Sequence, residues 1–265
     1  MTDPRIHARR VVIARERGRR RRRRILVGLT VVALGAGGLA LVHSSLLGAR
    51  HVRVIGAPNI PSSTVIAAAG LQGDPPLVDL NAGSIESRVE NLPWVLTADV
   101  HIAWPSTVAI QVTERIPVAA VALGGGAGYA VCDVSGRVLE IVPSRPASLP
   151  LVVLAAASGS PGRPGSSLPT RDRLQLEVAA AMPESMVPVI GEIAVGSVGA
   201  VLALGHRREA IVGDASSLAQ KFVSLATVLA RADLEGITAI DLRVPTAPVL
   251  LPEGSSPIVP GIVGG

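Results

Sequence analysis

The stretch Asn91–Pro117, NLPWVLTADVHIAWPSTVAIQVTERIP, holds both tryptophans of a chain in which aromatic residues make up only 2%. Val100, Ile102 and Trp104 alternate with other residues, Pro105-Ser106 marks a turn, and Val108, Ile110 and Val112 resume the alternation. This is the pattern of two strands that each bury one face, joined by a hairpin turn. Upstream, HVRVIG at His51–Gly56 alternates in the same way and predicts a short strand closed by glycine. PSSTVIAAAG at Pro61–Gly70 predicts a helix with Ser62 or Ser63 as cap and Gly70 as stop. NAGSIESRVENLP at Asn81–Pro93 places Ile85, Val89 and Leu92 at helical spacing, with Asn81 or Ser84 able to cap and Pro93 barring continuation. The order is therefore β-α-α-β-β. A core this small needs its few large side chains, so Trp94 and Trp104 are both expected in it or at its seam. Glu114 and Arg115 end the last strand and point to opposite faces, which makes them a poor pair to act on one atom.

The net charge is +5, and its position matters more than its size. Residues Met1–Arg24 hold 11 of the 25 basic residues and only two of the 20 acids, so everything beyond them is mildly acidic. A nucleic-acid partner for the folded part loses its support. The run Arg19, Arg20, Arg21, Arg22, Arg23, Arg24 leads directly into residues 25–49, which carry no charge. About 20 apolar residues in a helix cross a bilayer, so residues 25–47 are expected to span it. The arginines on one flank place residues 1–24 in the cytoplasm and the rest outside, in a single-pass, type II arrangement.

From Pro117 the chain changes to short apolar segments with glycine-rich breaks, which predict antiparallel β structure. DVSG at Asp133–Gly136 reads as a hairpin turn and the glycines of GGGAGY as a loop. Helices are expected at Arg171–Met182 and Ser216–Gly236, the second placing Phe222, Leu225, Leu229 and Ala232 near one face. Residues 158–167 read as a flexible loop and 252–265 as a disordered tail. The five histidines are too scattered for a metal site, no G-x-S-x-G elbow occurs, and Cys132 sits mid-strand as a small core thiol. Neither a catalytic set nor a cofactor or metal site is expected. The alternative is an anchored extracytoplasmic enzyme acting on cell-wall polymer, with Asp133, Glu140, Asp214 or Asp241 forming a carboxylate pair only on folding.

VRVIG at residues 52–56, NLPWV at Asn91–Val95, ADVHIAWPSTVAIQVTERIPVA at Ala98–Ala119 and IDLRVPTAP at Ile240–Pro248 resemble the bacterial FtsQ/DivIB cell-division family. The resemblance implies an α+β ectodomain: a single N-terminal transmembrane helix, a POTRA domain over residues 50–116, then a β-rich domain with peripheral helices over 117–251. It implies a non-enzymatic divisome scaffold in the inner membrane at the septum, linking division proteins through extracytoplasmic contacts. The implied partners are the small bitopic proteins FtsB and FtsL, with membrane lipids at the basic tail and no nucleic acid or small-molecule substrate. Arg243, Val244, Thr246, Ala247 and Val249 are the implied partner-binding positions. Pro245 and Pro248 lack ladder donors, so a strand that contains them is expected at a sheet edge.

Overall fold

A computed structural model describes residues 23–40, 47–154, 161–205 and 207–253. Helix α1 (Arg23–Ala40) is 18 residues long, apolar enough to cross a membrane, and none of it is buried against the rest of the protein. Side chains such as Leu34, 72% exposed, therefore face outward all round it. Arg23 and Arg24 open the helix, while Arg19, Arg20, Arg21 and Arg22 lie outside the described residues. So do His7, His43, His206 and residues 254–265.

Contacts divide the chain into two compact units that interleave in sequence. The first takes residues 1–55, 61–87 and 99–111; the second takes 56–60, 88–98 and 112–265. Strands β1 (His51–Ile55), β2 (Val95–Ala103) and β3 (Thr107–Glu114) form a sheet in the order β1-β3-β2. β1 runs parallel to β3 in the register His51 to Thr107 through Ile55 to Gln111. Helices α2 (Ser62–Ala69) and α3 (Ala82–Glu90) fall between β1 and β2, so the β-α-α-β-β order holds. Within the first unit Val65, Ala69, Leu71, Leu77, Ile85, Val100, Val108 and Ile110 are all buried.

Local chemistry sets the helix ends. Asn81 caps α3, its Oδ1 accepting the Ser84 backbone N–H at 2.9 Å. Gly70 stops α2 in the left-handed region at φ 70°, donating its N–H to the Ala67 carbonyl. The start of α2 differs from expectation. Pro61 occupies the cap position and Ser62 is already helical, so no side chain caps that end.

Trp104 also departs from expectation, being 58% exposed. The pleat of β2 stops at Ala103 and the turn begins at Trp104, so the alternation that buries Val100 no longer directs the next side chain inward. Trp94 is part-buried, packed on a small cluster of Ala120, Val131, Leu139 and Leu149 in the second unit.

The second unit is built on a nine-stranded sheet, ordered β12-β11-β10-β9-β8-β7-β4-β5-β6. Its strands are β4 (Pro117–Ala122), β5 (Tyr129–Asp133), β6 (Val138–Val142), β7 (Leu151–Val152), β8 (Ile190–Gly196), β9 (Gly199–Leu204), β10 (Arg208–Gly213), β11 (Ile237–Asp241) and β12 (Val249–Pro252). The expected hairpins are present: Gly136 at φ 85° completes the turn between β5 and β6, and Gly124–Gly126 lie in the β4–β5 loop. The sheet is mixed, however, and not purely antiparallel, because β4–β7, β7–β8 and β10–β11 pair in parallel. A parallel neighbour requires a crossover, and two of these crossovers carry the helices α4 (Arg173–Ala180) and α5 (Leu218–Arg231). Those helices bury Leu176, Val178, Ala179, Phe222 and Leu225 in one large core with Val121, Cys132, Ile193, Leu202, Val212, Ile240 and Leu242.

Candidate functional site

The C-terminal edge of the nine-stranded sheet brings the implied partner-binding residues together. β12 is the outermost strand, paired antiparallel with β11 from Asp241–Val249 to Ile237–Pro252. Among the described residues no strand pairs with its outer side. Val249 lies on this strand and is 52% exposed. Arg243, Val244, Thr246 and Ala247 do not lie on a strand. With Pro245 and Pro248 they form the connection between β11 and β12. The edge is where the prolines implied it would be, but they precede the edge strand instead of sitting in its ladder. Proline's missing N–H is harmless in such a connection.

Three contacts hold that connection. Leu242, fully buried, donates its N–H to the Ile211 carbonyl at 2.8 Å. Arg243 grips Asp241: its N–H, Nε and Nη2 all donate to the carboxylate, the last at 2.6 Å. The Arg243 side chain bonds hold the Asp241 carboxyl below the usual range against the opposing effect of burial, and the same pairing raises the guanidinium. Gly213, at φ 75°, makes room for this arginine, since a Cβ there would come 2.9 Å from Arg243 Cγ. Finally, the Ser224 hydroxyl on α5 donates to the Pro245 carbonyl.

Sequence reasoning missed the helix side of this region. Ala219, Gln220, Val223 and Ser224 of α5 join Pro245 and Thr246 around an open, largely apolar groove of about 380 Å³. Val223 is 68% exposed and Val244 57%. The signal was present in the sequence, since Val223 is an aliphatic residue on the helix face opposite the buried Phe222 and Leu225.

The opposite edge of the sheet is different. Val138 at the start of β6 exchanges backbone hydrogen bonds with the segment 165–166: its N–H donates to Ser166, and Gly165 donates to its carbonyl, both at 2.8 Å. Arg137 and Ser167 form a further bridge. Glu140, exposed on β6, adds a charge to that edge.

The Glu114-Arg115 pair serves structure. Glu114 accepts hydrogen bonds from the Asn59 backbone N–H at 2.9 Å and from Asn59 Nδ2 at 2.6 Å. Arg115 points elsewhere, donating from Nε to the Val95 carbonyl at 2.9 Å and from Nη1 to Asp133 Oδ2 at 2.7 Å. Burial alone would raise the Asp133 carboxyl, but donors from Ser135, Arg115 and the Arg137 backbone outweigh it and lower the group. Cys132 beside it is fully buried, and burial with the neighbouring Asp133 charge pushes its thiol up to about 12. Such a thiol is no nucleophile. Asp133, Glu140, Asp214 and Asp241 have separate surroundings. Asp133 pairs with Arg115, Asp214 with Lys221 and Asp241 with Arg243, and Glu140 lies exposed on β6. Among the described residues no group of His, Cys, Asp and Glu has the arrangement of a metal site.

Comparison with known proteins bears directly on this arrangement. The family pattern of the POTRA domain, FtsQ-type, matches residues 47–115, the part that carries β1 to β3. The cell division protein FtsQ of Streptomyces collinus is 31% identical over 242 residues, covering 89% of this chain and 90% of that protein. The chain belongs to the FtsQ family of cell division proteins. The FtsQ of Mycolicibacterium smegmatis is 30% identical over 226 residues, 85% of this chain but 62% of that longer protein. Among solved structures, the major extracytoplasmic domain of the cell division protein DivIB from Geobacillus stearothermophilus, in its trans isomer, aligns over 46% of this chain and 98% of its own, at 15% identity and a TM-score of 0.30.

Proposed function

We propose that the chain acts as a non-enzymatic scaffold of the division machinery at the septum. In this reading residues 1–24 lie in the cytoplasm, α1 crosses the inner membrane, and the POTRA-type module (50–116) and the β module (117–251) work outside. The family's bitopic partners, of the FtsB and FtsL type, dock on the C-terminal edge. One observation carries the reading: among the described residues no strand pairs with the outer side of β12, which lies beside exposed Val249, Val244 and the α5 groove. An open edge offers main-chain hydrogen bonds to an incoming strand, and the neighbouring groove gives its side chains somewhere to go.

Arg243, Thr246 and Ala247 line the approach as exposed positions, with Arg243 held in one orientation by Asp241. An exposed pair of this kind adds little stability, so its value lies in presentation. The test is co-purification of FtsB and FtsL from membranes with the Val244→Asp, Val249→Asp double variant. Recovery should fall at least tenfold, the effect of about 1.4 kcal/mol in affinity, while the melting temperature stays within a few degrees. Undiminished recovery would move the docking site away from this edge.

A further inference from the structure

The described core of the first unit leaves Trp104 outside it, and its surroundings give it a different use. The parallel register sets His51 opposite Thr107, so the Trp104–Pro105–Ser106 turn lies at the end of the sheet where β1 begins. His51 confirms the proximity: its N–H donates to the Ser106 carbonyl at 3.0 Å, and its Nδ1 lies 3.4 Å from Ser106 Oγ. The residues just before β1 are part of the same end. Ala49 donates to the Pro75 carbonyl at 2.9 Å, and Gly48 bridges to Pro76.

This is the end from which the chain runs back to α1. The described part of α1 ends at Ala40. Seven residue steps join Ala40 to Leu47, where the described fold resumes, and they reach no more than about 25 Å.

We infer that the Trp104–Ser106 turn seats in the membrane–water interface, with the Trp104 indole among the lipid headgroups. The inference rests on α1 crossing the membrane as proposed above. An indole suits that layer because its ring is apolar and its N–H still finds a polar partner, which is why tryptophan concentrates there. Arg50, His51 and Arg53 are exposed at this end or beside it, matching anionic headgroups, with Asp74 on the adjoining loop as the opposing charge. The other large apolar side chain exposed on β1, Ile55, lies at the far end of that strand opposite Gln111. A lone aromatic bordered by basic and hydroxyl groups fits a lipid surface better than a protein partner, which needs a packed apolar centre.

The experiment places the full chain in vesicles of phosphatidylethanolamine and phosphatidylglycerol and compares it with Trp104→Phe. Subtracting the two emission spectra isolates Trp104 without disturbing Trp94. Lipids spin-labelled near the headgroup should quench the Trp104 component about twofold or more, while iodide on both sides of the bilayer should quench it weakly. If iodide quenches it and the labelled lipid does not, in a chain that still floats with the vesicles, the turn stands in water and the inference falls while the anchor survives. A chain that fails to float removes the anchor and the inference together. Protection from iodide in native membranes but not in pure lipid would identify a protein as the occupant and overturn the lipid assignment.

Discussion

Trp94 and Trp104 stand at the two ends of one strand, yet they belong to different compact units and meet opposite surroundings. Trp94 packs on Ala120, Val131, Leu139 and Leu149, and its carbonyl accepts the Arg115 N–H at 2.8 Å. The protein leaves more than half of the Trp104 surface uncovered, at 58% exposure. The same residue type within one motif therefore does two jobs. Near Trp94, apolar packing is tied to a hydrogen-bond network around the buried Asp133, which takes donors from the Arg115 guanidinium, the Ser135 hydroxyl and the Arg137 backbone. Near Trp104, only a turn needs to be held. Substitutions around the first should therefore cost far more than substitutions at the second.

The largest effect is expected at Arg115. Its side chain is 15% exposed and that of Asp133 5%, so Arg115→Ala strands a buried carboxylate and should destabilise the protein by about 3–5 kcal/mol. Chemical denaturation of the full chain in micelles measures this, and a loss below about 1 kcal/mol would show that Ser135 and the Arg137 N–H suffice for Asp133. Trp94→Ala comes next. As a part-buried aromatic it should cost about 3 kcal/mol, the low end for such truncations. A neutral result would erase the contrast between the tryptophans.

Acid sharpens the comparison. Asp133 has a lowered folded-state pKa, so it contributes stability that is fully present above its unfolded value near 3.8 and is lost as pH falls through the folded value. The stability gap between the wild type and Asp133→Asn should therefore be widest at neutral pH and narrow below about pH 4. A gap that stays constant down to strong acid would mean the carboxylate's charge is immaterial there. Smallest of all, Trp104→Ala should move stability by no more than about 0.5 kcal/mol, as for other surface positions. A cost approaching that of Trp94→Ala would put the indole into a core.

Much of this fold can be read from short-range chemistry. Alternation in β2 and β3, the Asn81 cap, the Gly70 stop and the Asp133–Gly136 turn each depend on a few neighbouring residues. Trp104 shows the limit of that logic: alternation gives a side chain's phase but not the residue at which the strand yields to the turn. The parallel pairings of β7 with β8 and of β10 with β11 were illegible for another reason, because partner choice is a long-range property settled by where α4 and α5 pack. At the candidate edge, the prolines did point to the right border of the sheet. Exposed Val223 hinted at the helix side, but the groove itself needs α5 and the β11–β12 connection side by side, a placement held by the Ser224–Pro245 contact and by the core that Phe222 and Leu225 share with Leu242.

The two borders of the nine-stranded sheet have one more consequence. The β6 border is bonded at Val138 by residues 165–166 and carries Glu140, whereas among the described residues no strand pairs with the outer side of β12. A ribbon with one border partly bonded and charged propagates poorly through that side. Should two copies of this sheet meet through β12, each would occupy the other's reactive side and growth would end at a pair. This asymmetry leaves one receptive side for an incoming strand and makes the second side that a fibre would require a poor template.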